Sequence, residues 1–408
     1  VGLFNRKNKK IMNILQLTAH FRPNIGGVET HLDDLCKALL KRDFKVIVLT
    51  YRPLQTAAKW KLFEKVDHLV IIRIPWIPNL FYKLVDTPLL EFIYLFPGLF
   101  ILTPCILLTK KINLIHTHGL VAGFVGVFWG KIFGKKIIVS VHSIYTFPKR
   151  GLYRNFVALI FKNADYILGL SKQATNEVES LEVSKKKVKQ FTYWIDLAKF
   201  KKVIDAKKTL GWKEKFVCLF VARLVPEKGI DELLQSVKRW NKNIKLKIIG
   251  SGPLEEKVKT TVSRLPNVDF IEDVDSKQLP LYYSGSDLLI VPSVSEEGFG
   301  RVILESLSCG TPVIGANRGA IPEALDDSVG KIIDINPENI RQAVEYFYTR
   351  RDELKKLAYA QKMHKEDRID ENDFRQIEQE ITYLKEVYLF TDKLVRLKVN
   401  CYVIDGEL

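Results

Sequence analysis

Ser284 to Glu323 reads SGSDLLIVPSVSEEGFGRVILESLSCGTPVIGANRGAIPE, and the order of its parts decides the fold. An apolar run, Leu288 to Val291, precedes a polar loop with Glu296 and Glu297, the turn Gly298-Phe299-Gly300, and a helical pattern carrying Glu305. That order predicts a strand, a glycine-bearing turn and a helix start. Backbone amides exposed at such a turn, with the positive end of a helix dipole behind them, suit a phosphate. Glu297 and Glu305 are eight positions apart, about two turns and a further 80° on a helix, so two helical glutamates would not share a face. Glu297 is therefore expected in the loop and Glu305 in the second helical turn. One carboxylate can then meet a sugar and the other a ribose.

Read as PS-x3-EGFG-x4-E-x3-CGTPVI with IPE following, the stretch resembles the Glu-x7-Glu signature of retaining GT-B glycosyltransferases, within the large GT4 group that uses nucleotide-sugar donors. The resemblance extends over roughly residues 11 to 385. It implies an α/β protein of GT-B fold, with two Rossmann-like domains facing across a cleft. It also implies sugar transfer from a nucleoside diphosphate donor with retention of anomeric configuration.

The rest of the chain supports that alternation. Ile11 to Thr18 is an apolar run followed by the loop HFRPNIGGVETH and a helical pattern from Val28 to Leu40. Gly26 and Gly27, between strand and helix, let the backbone approach a ligand closely. The longer string is similar to the first glycine loop of GT4 enzymes, including the subgroup that adds N-acetylglucosamine to phosphatidylinositol. Val46 to Thr50 and Val70 to Ile74 are predicted strands, joined by a basic connection that carries Trp60. INLIHTHGLVAG predicts a strand ending in His116 and His118, and alternation puts both imidazoles on one side. Two histidines without a third ligand are too few for a metal site. The resemblance gives His118 a place beside the donor sugar and leaves His116 structural. His142, after the predicted strand Ile137 to Val141, stands at a strand's carboxyl end, where open α/β sheets bind ligands. It is expected on the acceptor side. Tyr166 to Leu170 is the next predicted strand, and the basic run Ser184 to Gln190 reads as a solvated connection.

FTYWIDLAKF marks the domain boundary, with residues 1–198 on the acceptor side and 199–385 on the donor side. Where GT4 chains often have PNGID, Tyr193-Trp194 replaces Asn-Gly. Beyond it, Phe216 to Val221 is a predicted strand before ARLVPEKGIDELLQSV. Arg223 offers a planar fork of donors and Lys228 a point charge, and together they form a clamp suited to a diphosphate. The segment resembles the GT4 GRLxxEKG motif with Ala222 replacing its first glycine. Leu246 to Ile249 and Val268 to Ile271 are further strands. By resemblance, Gly252 belongs to the donor site, the base is held by main chain near Val274, and Glu323 touches the donor. Ala320 stands where GG is commoner.

From Asn339 to about Leu389 the chain is charged and helical in pattern, and 386–408 is a β-prone end that can pack on the first domain. Phe92 to Leu108 is a charge-free run of 17 residues with Pro97 and Pro104, at the lower limit for a bilayer span. It is read as a buried or interfacial helix, and attachment to a membrane face does not require integration.

The 408 residues suffice for two cores. Five scattered cysteines without metal spacing (Cys36, Cys105, Cys218, Cys309 and Cys401) indicate free thiols in a reducing, cytoplasmic setting, and the basic start VGLFNRKNKK shows no cleavable signal pattern. Charge is lopsided: residues 1–200 hold 30 Lys and Arg against 13 Asp and Glu, a net +17, and the remainder nets −1. Such a field calls for an anionic partner such as a membrane surface or a phosphorylated acceptor. The expected partners are a UDP- or GDP-sugar, a glycolipid or glycan acceptor and an anionic membrane face, without nucleic acid. No cofactor is expected, and Arg223, Lys228 and the amides of Gly298 to Gly300 would take the place of a divalent metal. A dinucleotide oxidoreductase is disfavoured because no GxGxxG follows the first strand. A sugar-nucleotide epimerase on the same fold, and a decayed basic membrane- or nucleic-acid-binding protein, are the alternatives.

Overall fold

The computed structural model describes residues 12–357, apart from 25, 55–57, 79, 81–83, 85–86, 192, 194 and 273. Trp194, Cys401, the end of the charged helical stretch and the 386–408 segment lie outside the described residues. The described chain divides into two compact units, one holding 12–170 and 174–191, the other 171–173 and 192–357.

The first unit is built on eight strands: β1 (Asn13–Thr18), β2 (Lys45–Tyr51), β3 (Phe63–Val66), β4 (Leu69–Ile74), β5 (Leu114–His118), β6 (Lys136–Val141), β7 (Tyr166–Gly169) and β8 (Val188–Gln190). They lie in the order β3-β4-β2-β1-β5-β6-β7-β8, all parallel except the edge strand β3. β5 and β6 are buried along nearly their whole length. Strands covered by helices on both faces take near-continuous apolar runs such as KIIVSV, because neither face meets water. Two elements differ from expectation. The connection after Trp60 contains β3, whose side chains are mostly exposed, and the basic run at 184–190 ends in β8. Both are sheet edges held by backbone pairing rather than apolar burial, so composition does not reveal them.

Helix α1 (Gly27–Leu40) follows β1, α2 (Pro88–Thr109) crosses from β4 to β5, α3 (Leu120–Ile132) joins β5 to β6, and α4 (Leu152–Asn163) joins β6 to β7. Gly123, Gly126 and Gly130 line the inner face of α3, and a Cβ on Gly126 would stand 2.2 Å from the Thr117 methyl. Small residues there bring α3 hard against the sheet. In α2, Pro104 cannot donate to the Phe100 carbonyl one turn back. The indole Nε1 of Trp129 on α3 supplies that bond at 2.9 Å.

The second unit has six parallel strands: β9 (Phe216–Val221), β10 (Ile244–Ile249), β11 (Val268–Ile271), β12 (Leu288–Val291), β13 (Val313–Ala316) and β14 (Gly330–Ile333). Their order is β11-β10-β9-β12-β13-β14. α5 (Ile230–Val237), α6 (Leu279–Gly285), α7 (Arg301–Ser308) and α8 (Pro337–Thr349) are its main helices. α8 starts where its pattern demands: the Asn336 side chain accepts from the Asn339 amide at 2.8 Å and Pro337 takes the first turn, where no amide is needed. α5 and α8 seal one face of the sheet through Ile230, Leu233, Ile340 and Val344.

In each sheet the strand order reverses direction at one place, between β1 and β5 in the first and between β9 and β12 in the second. Ligands of open α/β sheets bind outside the carboxyl ends of the strands at such points.

Trp129→Phe should destabilise the chain by about 1–3 kcal/mol, because it leaves the Phe100 carbonyl without a donor inside a helix. Urea unfolding followed by circular dichroism would measure it, and an unchanged midpoint would show that the carbonyl finds another donor.

Candidate active site

In the second unit three loops meet at the β9/β12 switch point. The loop after β9 carries Arg223 and Lys228, the loop after β12 carries Ser293 and Glu297, and the loop after β13 carries Gly319 and Ala320. The backbone fixes them to one another. The Val294 amide donates to the Glu227 carbonyl at 3.0 Å and the Ala320 amide to the Glu297 carbonyl at 2.9 Å. Gly319 has φ +56°, and a Cβ there would stand 2.4 Å from the Glu297 amide nitrogen and carbonyl oxygen. Glycine is thus required at 319, whereas Ala320 at φ −91° is in ordinary right-handed backbone. The alanine in place of a second glycine costs the loop nothing.

Lys228 Nζ donates to Glu297 Oε2 at 2.5 Å, and the Ser293 hydroxyl donates to the same oxygen at 3.1 Å. Burial pushes the Glu297 carboxyl up, but the Lys228 ammonium, the Ser293 hydroxyl and the nearby Arg223 outweigh it and hold the group below the usual carboxylate range. Glu297 is therefore an anion and not a proton donor at neutral pH. The two residues assigned separately from sequence, one to a diphosphate and one to a sugar, are here partners.

Glu297 lies in the loop and Glu305 in the second turn of α7, as their spacing predicted. Gly300, with φ +74°, caps α7 and turns the chain from loop to helix. Glu305 is only 6% exposed. Its Oε1 accepts from Arg301 Nε at 3.0 Å and its Oε2 from the Tyr283 hydroxyl at 2.9 Å. Burial raises its pKa against the pull of Arg301 and Tyr283. Each carboxylate oxygen has a second lone pair to offer a ribose hydroxyl. Phe299 is buried and Gly298 half-buried. Gly252 sits in the turn after β10, where the neighbouring Leu254 amide donates to the Leu224 carbonyl at 3.0 Å. Val274 packs against the core beneath this edge, and Glu323 is exposed on a short helix, Ile321–Ala324.

In the first unit the β1/β5 switch point holds a chain of buried polar groups. His116 and His118 share one side of β5, with ring centroids 4.2 Å apart. His116 Nε2 meets the Ser140 hydroxyl at 2.7 Å, the structural part expected of it. His118 Nε2 is 2.6 Å from Gln16 Oε1, and its Nδ1 is 2.9 Å from His142 Nε2. An amide oxygen only accepts, so Nε2 of His118 carries the proton and Nδ1 accepts from His142. Both ring nitrogens of His118 are thereby fixed within the unit. His142, expected to face the acceptor, is 7% exposed and turned onto His118. At the start of α1 the Glu29 carboxylate lies over Gly26, where a Cβ would meet Oε2 at 2.3 Å. Gly27 is exposed beside it. Asn24 is buried in the same loop, and neither side-chain amide atom has a partner among the described residues.

Four of these residues escaped the sequence reading. Arg301 was visible as a basic residue four before Glu305 on a helix, and Ser293 as a hydroxyl four before Glu297. Gln16 was the lone amide in an apolar strand. Tyr283 carried no signal. Among the described residues no three of His, Cys, Asp and Glu are grouped to hold a metal.

Two doubly wound parallel sheets in one chain, with a Lys-Glu pair beside a glycine-capped helix at the second switch point, define a glycosyltransferase of the GT-B class. Residues 203–364 match the family model for glycosyl transferases group 1, and residues 25–199 match that for glycosyltransferase family 4. The chain belongs to this GT4-type group. It is 25% identical over 345 residues to a phosphatidylinositol N-acetylglucosaminyltransferase polypeptide of Arabidopsis thaliana, covering 82% of this chain and 74% of that one. Over 138 residues, 31% of this chain and 36% of the relative, it is 32% identical to a GDP-mannose-dependent phosphatidylinositol monomannoside mannosyltransferase of Mycolicibacterium smegmatis. Its fold matches HepE of Anabaena, solved in complex with UDP, with a TM-score of 0.70 at 18% identity, over 92% of this chain and all of that one.

Burial holds the His118 and His142 pKa values well below the ordinary imidazole value, and neighbouring histidines lower them further. Both are neutral when folded but protonate near pH 6.5 once unfolded. Their contribution is thus complete above about pH 6.5 and is lost as pH falls, at about 1.4 kcal/mol per pH unit for each histidine. Urea midpoints measured between pH 7.5 and 5.5 should show this slope, and His142→Gln should flatten it.

Proposed function

We propose that the protein moves a hexosyl or N-acetylhexosaminyl group from a UDP- or GDP-sugar to a lipid-linked or glycan acceptor at a membrane surface, with retention of configuration. The observation that carries the reading is the Lys228–Glu297 pair, fixed at a switch point beside Arg223 and the amides that open α7. As the bond from the sugar's anomeric carbon to the diphosphate breaks, negative charge grows on the leaving phosphate. Arg223, Lys228 and the Gly298 to Gly300 amides are placed to stabilise charge of that kind. Glu297 orients the sugar and Glu305 the ribose. His118 serves the sugar from the first unit, with Gln16 and His142 holding its ring. The acceptor oxygen bonds the anomeric carbon on the face the phosphate leaves, and its proton passes to a phosphate oxygen, so no carboxylate acts as nucleophile.

The named relatives support the donor and acceptor classes: one uses GDP-mannose, two act on phosphatidylinositol or its mannoside, and the structural neighbour holds UDP. The same chemistry without an acceptor would describe an epimerase, and accumulation of an epimerised nucleotide sugar instead of a glycosylated product would establish that alternative. Metal independence belongs to the proposal too: turnover should persist in a chelator.

Thermal-shift titration with UDP-, GDP- and ADP-sugars identifies the donor, since a ligand of the native state raises its melting temperature. Lys228→Ala should weaken every donor alike, by about tenfold or more for a lost charge-assisted contact. A variant that binds and turns over donor like the parent chain would remove Lys228 from the site.

A further inference from the structure

The outer surface of α2 does not look like the water-facing side of a soluble helix. Its exposed and half-exposed positions, Leu90, Ile93, Pro97, Ile101, Pro104 and Leu108, recur at three- and four-residue spacing and form one stripe along the helix. None of them is polar; Ile101 is 65% exposed and Leu108 74%. A helix of 22 residues extends about 33 Å, so the stripe is long. It is also broad, because an aromatic seam ties α2 to its neighbours. Phe92 stacks edge-on against Phe156 of α4 at 5.4 Å and lies 5.8 Å from Phe124 of α3, while Phe100 meets Phe128 of α3 at 5.1 Å. Beyond the seam the surface continues through Ile132 of α3 and through Leu152, 88% exposed, and Leu159 of α4. Apolar patches of this extent mark a binding surface.

Charge says what covers it. The three helices contain a single carboxylate, Glu91, which burial raises to a pKa of about 7. Exposed lysines and arginines flank the patch at both ends: Lys110 and Lys111 after α2 and Lys131 in α3 at one, Lys149 and Arg150 before α4 at the other. A second copy of the chain would bring its own net +17 half against this one, and like charges oppose that association. An anionic bilayer satisfies both features, taking the aliphatic side chains among its acyl chains and the basic groups at its headgroups.

We propose that α2, α3 and α4 form a docking face that seats the first unit on an anionic membrane, with α2 lying in the plane of the interface. The proposal deepens the membrane-proximal acceptor reading above and rests on it. α2 is the one helix among the described residues long and apolar enough to cross a bilayer, but its other face is committed to the protein. Leu95, Leu99, Ile106 and Leu107 are buried with Tyr51 in the core, and the Tyr51 hydroxyl donates to the Leu95 carbonyl. Spanning would expel that face from the sheet; lying flat requires no change.

Cys105 is exposed on α2 beside Ile101 and Leu108, whereas Cys36, Cys218 and Cys309 are buried. A nitroxide placed on Cys105 of the chain carrying Cys401→Ser therefore reports the depth of this face. With phosphatidylglycerol-containing vesicles the label should move into the acyl region, reached by oxygen and shielded from water-soluble nickel chelates. Partition should be about tenfold or more stronger than onto pure phosphatidylcholine and should weaken with salt. Ile93→Gln, Ile101→Gln and Leu108→Gln together should reduce partition by about tenfold or more, with nucleotide-sugar binding unchanged as proof of folding. Absence of vesicle binding overturns the proposal. So does binding with Cys105 left in water, or burial of the label in a dimer without lipid. A lipid-immersed label supports it whether or not sugar is transferred, so failure of the transferase reading and failure of this one are distinguishable.

Discussion

A parallel sheet brings the carboxyl ends of all its strands to one edge, and everything chemical in this protein follows from that constraint. At the point where strand order reverses, the loops on either side diverge onto opposite faces of the sheet and leave room for a ligand. In the second unit this brings the loop after β9 to the loop after β12, although Lys228 and Glu297 are 69 positions apart in the chain. Neither residue would be held without the other loop. The ammonium keeps the carboxylate ionised, and the carboxylate gives the ammonium a fixed place above the sheet edge.

Such a pair is preorganised for an anion. An ammonium that already sits in a partly desolvated site has met most of the cost of leaving water before the ligand arrives. A diphosphate carries more charge than one carboxylate, so it competes for Lys228 and releases Glu297 toward the sugar. Glu305 plays a different part. It is buried, bonded on both oxygens, and set by Tyr283 and Arg301, which makes it a rigid acceptor for a neutral hydroxyl. In the first unit Gln16 and His142 do for His118 what Tyr283 and Arg301 do for Glu305: they consume its rotational freedom and fix its proton.

Much of this was legible in the sequence because parallel strands are short, wholly apolar and bounded by turn residues. Phe216 to Val221, Val268 to Ile271 and Leu288 to Val291 are strands with the limits their composition gives. The loop position of Glu297 and the helical position of Glu305 followed from spacing alone. What escaped was of two kinds. β3 and β8 are edge strands whose stability lies in backbone hydrogen bonds, and a run such as VKQ carries no apolar signal. The pairings Gln16 with His118 and Lys228 with Glu297 arise from strand order, which no local pattern encodes. The apolar run in α2 was read as buried or interfacial; one face of the helix is buried and the other open.

Glu297 therefore both competes with a ligand for Lys228 and guides the sugar. Calorimetric titration of UDP and GDP, without any sugar, into the chain and into Glu297→Gln separates the two roles. If the pair is a placeholder that the diphosphate displaces, the variant binds the bare nucleoside diphosphate at least as tightly as the parent chain while its sugar transfer falls by about a hundredfold or more. Loss of diphosphate binding in Glu297→Gln would contradict the account, because it would make the carboxylate a support that Lys228 needs and not a rival for it.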